Sequence, residues 1–150
     1  MTDCVRWTEA SARIAIVEDD PSMAELLAYN LQAAGHLAAV VTTGVSAIER
    51  LHEIDPDLII LDWELPGLSG MEILRQIRRN MPARHLPVII LTGRSGRDDR
   101  SRAMATGADA FVTKPFALSE LLRRIAALLS SSQLPPPAST AEPKPRATTT

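Results

Sequence analysis

Four short apolar runs in this chain each lead into residues suited to phosphate or metal chemistry. RIAIV at 13–17 is followed by Glu18, Asp19 and Asp20. DLII at 57–60 and Leu61 run into Asp62, LPVIIL at 86–91 into Thr92, and the run at 110–112 into Thr113-Lys114-Pro115. Any one of these acids could be a helix cap or a loop residue. The same arrangement four times, with an ammonium and a hydroxyl opposite carboxylates, points to a shared site. Clustered carboxylates push each other's pKa upward unless a cation lies among them, and an all-oxygen donor set with room for water suits Mg²⁺. Such a site, with the metal on Asp19 and Asp62, can receive a phosphoryl group. That group is loose and highly charged in the transition state, so positioning and charge neutralisation supply most of the catalysis. Lys114 and Thr92 supply a cation and a hydroxyl, and Asp62 is the candidate nucleophile, forming an acyl phosphate.

These residues can meet only if their runs are parallel strands with their carboxyl ends on one rim. The pattern predicts this. Four apolar residues at 58–61, without alternation, read as a strand buried on both faces. Pro21 and an aspartate before it open a first helix, with Met23, Leu26, Leu27 and Leu31 at 3/4 spacing on one face and Gly35 as a left-handed cap. An alanine-rich strand at 37–41 reads as an edge. Thr43-Gly44 opens a second helix with Val45, Ile48, Leu51 and Ile54 inward, ended by Asp55-Pro56. Ser69 and Glu72 form a capping box for a third helix with Met71, Leu74 and Ile77 or Ile73 inward, broken at Met81-Pro82. The fourth helix, about 97–106, offers only Ala103, Met104 and Ala105 for burial and is expected to be marginal and movable. The fifth carries a wide apolar stripe from Leu118 to Leu129. Five β–α units call for an α/β fold, a parallel sheet with helices on both faces.

Composition bounds the rest. The 150 residues, 45% hydrophobic and 23% charged with net charge −2, suit one domain with a real core and argue against a nucleic-acid or membrane-surface field. No run approaches membrane-span length and there is no signal pattern, so a cytoplasmic protein without membrane contact is expected. Cys4 is the only cysteine, which excludes a disulfide framework. His36, His52 and His85 show no metal-ligand spacing. Residues 1–12 are expected to form a flexible extension and 13–130 the domain. Residues 131–150, rich in proline, serine and threonine, are expected to be a disordered tail or linker.

Taken together, IVEDD, LDWELPGLSG, LTGR and GADAFVTKPF resemble the receiver domain of bacterial two-component response regulators, the CheY-like fold; LDWELPG and TKPF look most like the OmpR/PhoB branch. The resemblance implies a flavodoxin-like (βα)5 three-layer sandwich with strand order 2-1-3-4-5. It implies that Asp62 is phosphorylated by a sensor histidine kinase or a phosphotransfer protein. Asp19, Asp62 and the backbone carbonyl of Glu64 would hold Mg²⁺, or Mn²⁺, with Glu18 acting through water. Asp20 would be the helix cap. Thr92 and Lys114 would contact the phosphoryl oxygens, Lys114-Pro115 would be a cis peptide, and Phe111 would be the switch aromatic responding to Thr92. The protein would be a signalling switch rather than an enzyme acting on other substrates.

Glu64, two residues after Asp62, and Arg94, two after Thr92, are expected to flank the phosphoryl group, pair across it and slow its loss to water. The fourth helix, fifth strand and fifth helix (α4-β5-α5) form the branch's output face. Asp98, Arg100, Asp109, Glu120, Arg123 and Arg124 could supply charged pairs for a phosphorylation-dependent homodimer. DNA binding is not expected of this chain alone, and control of transcription would need a further domain. The rival reading is an aspartyl-phosphate hydrolase of the haloacid dehalogenase type, which uses similar groups. There, however, the nucleophile comes first in the chain and the acidic pair last.

Overall fold

The computed structural model describes residues 11–65, 67–81, 85–93 and 97–133. Five strands and five helices alternate: β1 (Arg13–Val17), α1 (Pro21–Ala33), β2 (Leu37–Val41), α2 (Ala47–Ile54), β3 (Leu58–Asp62), α3 (Gly70–Asn80), β4 (Val88–Thr92), α4 (Arg97–Thr106), β5 (Ala110–Thr113) and α5 (Leu118–Gln133). The strands pair in parallel in the order β2-β1-β3-β4-β5. Strand alternation divides the apolar side chains between two faces. Ala15, Val17, Ile59, Leu61, Val88 and Ile90 pack with Leu51 of α2 and Ile73, Leu74 and Ile77 of α3. Ile14, Ile16, Leu58, Ile60, Ile89 and Leu91 pack with Leu27 and Leu31 of α1 and Leu121, Ile125 and Leu129 of α5. Each fully buried Leu or Ile contributes about 1.5–3 kcal/mol, so this double core fixes the sheet and the rim on which the site stands.

The helix ends follow local chemistry. Asp20 caps α1 by accepting from the Ser22 amide, with Pro21 in the first turn, and Gly35 closes the helix at φ 96°. Ser69 caps α3 by accepting from the Glu72 amide at 3.2 Å. Three sequence expectations change. The second helix starts at Ala47, not at Thr43-Gly44, and Val45 is 78% exposed. The Thr43 hydroxyl accepts from the Val45 amide, holding a turn there. The buried stripe of α1 is Ala24, Leu27 and Leu31, whereas Leu26 is 47% exposed. The small Ala24 sets the helix rotation, and one residue of offset turns Leu26 about 100° from Leu27.

At both ends order reaches further than composition suggests. Ala12 is buried, its carbonyl accepts from the Leu37 amide at 2.8 Å, and the Ser11 hydroxyl donates to the Gly35 carbonyl at 2.8 Å. Helix α5 runs to Gln133, past the change in composition at Ser130. Residues 1–10 and 134–150 lie outside the described residues. Among those described, no helix is long and apolar enough to cross a membrane.

Candidate functional site

Register explains which side chains meet. Val17 pairs with Leu61, so Glu18, the next residue, lies abreast of Asp62; Thr92 pairs with Thr113, one residue before Lys114. Glu18, Asp62 and Lys114 each continue the alternation of the sheet face covered by α1 and α5, so the three converge at the carboxyl rim. Thr92 continues the parity of Val88 and Ile90, on the opposite face. The backbone is pinned there as well: Glu18 N bonds Val41 O at 3.0 Å, Trp63 N bonds Leu91 O at 2.8 Å, and Lys114 N bonds Thr92 O at 2.7 Å. The Lys114-Pro115 peptide is cis.

Lys114 Nζ lies 3.5 Å from Asp62 Oδ1 and 3.5 Å from Glu18 Oε1. Glu18, Asp62 and Thr92 are buried, while Asp19 is exposed. Carboxylate oxygens of Glu18, Asp19 and Asp62 all lie within 4.8 Å of one another. Asp62 Oδ1 accepts from the Glu64 amide at 3.2 Å, and Glu18 Oε2 from the Asp20 amide at 3.2 Å. Glu18 Oε1 is buried without a hydrogen-bond donor among the described residues. Burial, reinforced by the charge of Asp62, pushes the Glu18 carboxyl up to about 7. One ammonium thus faces two buried acids, with a third at the entrance.

This arrangement fits a hard divalent cation. The donors are all oxygen, one buried carboxylate oxygen lacks a donor, and the site carries more negative charge than Lys114 offsets. A testable consequence concerns Glu18 without metal. Its folded carboxyl binds a proton more tightly than its unfolded one, so between pH 4.5 and about 7 the folded state holds more protons and stability falls as pH rises. Glu18→Gln is expected to remove that slope and to stabilise the chelator-treated protein by about 1–2 kcal/mol above the window. Urea unfolding at both ends of the window checks this; identical slopes in the two proteins would refute it.

Several of the sequence-derived candidates meet here: Glu18, Asp19, Asp62 and Lys114; Glu64 joins them through its amide, which donates to Asp62, and not through the carbonyl expected to hold a metal. Phe111 is buried on the α3–α4 side of the sheet, opposite Ile90 and two pairs below Thr92. Arg94 lies outside the described residues, so its pairing with Glu64 has no geometry to report. Asp109 is already engaged within the chain, 3.0 Å from Arg78 and 2.7 Å from His85.

The family profile of the response regulator receiver domain matches residues 14–126. The chain belongs to that family. Over 117 residues the receiver is 46% identical to the phosphate regulon transcriptional regulatory protein PhoB of Rhizobium meliloti (strain 1021), covering 78% of this chain and 52% of that protein. The Escherichia coli (strain K12) protein of the same name is 40% identical over 117 residues, covering 78% of this chain and 51% of that protein. The chain therefore spans about half the length of these curated relatives. Among solved structures it is similar to the Francisella response regulator 1452 receiver domain (TM-score 0.76, 25% identity, 81% of this chain and 99% of that one). It is also similar to a CheY-like receiver domain protein from Methanospirillum hungatei JF-1 (TM-score 0.76, 25% identity, 81% of this chain and 95% of that one). The matches place the receiver in the OmpR/PhoB branch and decide against the hydrolase reading.

Two features of the receiver had no sequence signal. Arg78 reads as one of several basic residues ending α3, yet it gathers carbonyls from two other segments. Gly70 reads as a helix-opening residue, yet it is the seat of Trp63. Both depend on tertiary neighbours that periodicity does not name.

Proposed function

We propose that this receiver is a phosphorylation-dependent switch in which Asp62 accepts a phosphoryl group from a phosphohistidine. The donor would be a sensor histidine kinase or a phosphotransfer protein. The supporting observation is the Lys114 ammonium, 3.5 Å from both Asp62 and Glu18 at the carboxyl rim of the sheet. An Asp62 oxygen bonds to phosphorus as the bond from phosphorus to the histidine nitrogen breaks, and the freed imidazole takes up a proton from solvent. Asp19, Asp62 and the Glu64 carbonyl would hold Mg²⁺, or Mn²⁺, with Glu18 acting through water, and the bound ion would supply neutralising charge to the phosphoryl oxygens. Lys114 binds one phosphoryl oxygen and the Thr92 hydroxyl another. Glu64 and Arg94 modulate the access of water.

Movement of Thr92 toward the phosphoryl group changes the space beside Phe111, shifting the population at the α4-β5-α5 face. Control of transcription, through a domain outside these 150 residues, is the output that the PhoB relatives support, with homodimerisation through that face and a cytoplasmic setting. Residues 134–150 would then serve as a linker or tail. The test is incubation of the chain with a small acyl phosphate and Mg²⁺. One phosphoryl group per chain is expected, labile to hydroxylamine, on the peptide containing Asp62, and absent with chelator. Label on another residue, or many turnovers on simple phosphate esters, would overturn the reading.

A further inference from the structure

The segment joining β2 to α2 touches the acidic site from two sides. On one side the Val41 carbonyl accepts from the Glu18 amide at 3.0 Å, which ties the end of β2 to the backbone of the acidic pair. On the other side the turn rests against the loop that follows Asp62. A Cβ on Gly44 would lie 3.3 Å from Leu68 Cβ, 3.4 Å from the Leu68 carbonyl oxygen and 2.9 Å from Ile73 Cδ1. The Val45 side chain stands by Gly67, where a Cβ would meet Val45 Cγ2 at 3.7 Å. Only Thr42 and Thr43 separate Val41 from Gly44.

The turn is held by its own bonds. The Thr43 hydroxyl accepts from the Val45 amide at 3.2 Å, and the Gly44 carbonyl from the Ala47 amide at 3.2 Å. Its floor is firm as well: Ile73 is fully buried, and Leu65 and Leu68 pack with Ala47 and Ile73 in one apolar cluster. Close-packed interiors transmit a displacement rather than absorb it. The loop braced in this way carries Glu64, whose amide donates to Asp62 Oδ1 at 3.2 Å. Residues 41–45 have no carboxylate or imidazole of their own to offer a metal.

We propose that residues 41–45 are a spacer for the metal site: Val41 holds the segment carrying Glu18 and Asp19, while Gly44 bears on the loop carrying Glu64. The separation of the two contacts sets the width across which Mg²⁺ is bound. Gly44 is then a positioning residue, needed because the turn approaches Leu68 and Ile73 more closely than a side chain allows. The inference rests on the reading of Asp19, Asp62 and the Glu64 carbonyl as ligands of Mg²⁺.

Two measurements on the full chain test it: calorimetric titration with Mg²⁺, and hydrogen exchange of the Glu64 amide by NMR in chelator. Gly44→Ala is expected to raise the Mg²⁺ dissociation constant about tenfold, the low end for groups that support a metal ligand from outside. It is also expected to speed Glu64 exchange in chelator. Ile73→Val removes Cδ1, the nearest of the three contacts, and leaves the two to Leu68. In that background the stability cost of Gly44→Ala in urea should shrink, whereas its effect on Mg²⁺ should persist. Leu129→Ala destabilises the other face of the sheet and should leave the Mg²⁺ dissociation constant within about twofold. Unchanged Mg²⁺ affinity and Glu64 exchange in Gly44→Ala would overturn the proposal. So would an affinity loss that Ile73→Val abolishes or that Leu129→Ala reproduces. If Gly44→Ala does not fold, Leu68→Ala, which cuts back the surface beneath the turn, must give the same two effects or the proposal fails. A parent chain that binds no Mg²⁺ would defeat the reading of the ligands instead, and Glu64 exchange in chelator would still decide whether the turn places the loop.

Discussion

Asp62→Asn is expected to lower phosphoryl uptake from a small acyl phosphate by at least ~10³-fold, to background, because the nucleophile itself is removed. The substitution is nearly isosteric. An Asn oxygen can still accept from the Glu64 amide, which bonds Asp62 Oδ1 at 3.2 Å in the parent. What goes is the anionic oxygen and its charge beside Lys114. Folding should survive, since Lys114 retains Glu18 at 3.5 Å and one of two adjacent buried acids becomes neutral. Circular dichroism and urea unfolding should show a protein at least as stable as the parent in chelator, so loss of label cannot be attributed to unfolding. Lys114→Ala separates nucleophile from neutraliser. It keeps Asp62 but removes the ammonium facing both acids, and should slow uptake about 10²–10³-fold, in the range of deleting one transition-state donor. It should also destabilise the metal-free protein, since two buried carboxylates lose their cation. Uptake by Asp62→Asn at the parental rate would move the acceptor to another acid of the cluster.

The legibility of this protein in its sequence follows from where its information is local. The strand runs are continuous in Val, Ile and Leu because both faces are covered, and the rim residues follow those runs directly. Glu18, Asp62, Thr92 and Lys114 could therefore be picked out, and parallel topology then put all four on one rim, with Glu18, Asp62 and Lys114 converging on one face. Caps were legible for the same reason: Asp20 and Ser69 act on amides two and three residues away. The expectations that changed depend on distant contacts. Val45 is apolar and at helical spacing, yet Gly44 must come close to Leu68 and Ile73, and a turn takes the place of the first helical residues. The rotation of α1 follows the fit of Ala24 against the sheet, which a count of large apolar residues does not detect. The bonds from Arg78 to the Gly107 and Leu86 carbonyls are set by tertiary geometry alone.

Gly70→Ala is expected to destabilise the chain by about 3 kcal/mol, although propensity argues the other way by about 1 kcal/mol. Gly70 opens α3, and its amide bonds the Trp63 carbonyl at 3.2 Å. That contact brings two backbones together with no room for a methyl group: a Cβ would lie 2.7 Å from Trp63 Cε3, 2.8 Å from Trp63 Cα and 3.0 Å from Trp63 O. The ring could turn aside; the Cα and carbonyl could move only by displacing the residue that follows Asp62. The strain should therefore reach the loop from Trp63 to Gly70, which carries Glu64, and weaken Mg²⁺ binding as well as folding. Trp63→Leu in the Gly70→Ala background should recover only part of the loss, because the backbone clashes remain. Gly93→Ala is the control. Its Cβ would sit 3.6 Å from Glu64 Oε1, an ordinary contact, and its effect should stay within about 0.5 kcal/mol. Urea unfolding of the two glycine variants, with and without Mg²⁺, measures both effects. Equal stability in the two would mean that close packing of Trp63 on α3 does not set the position of the loop beside Asp62.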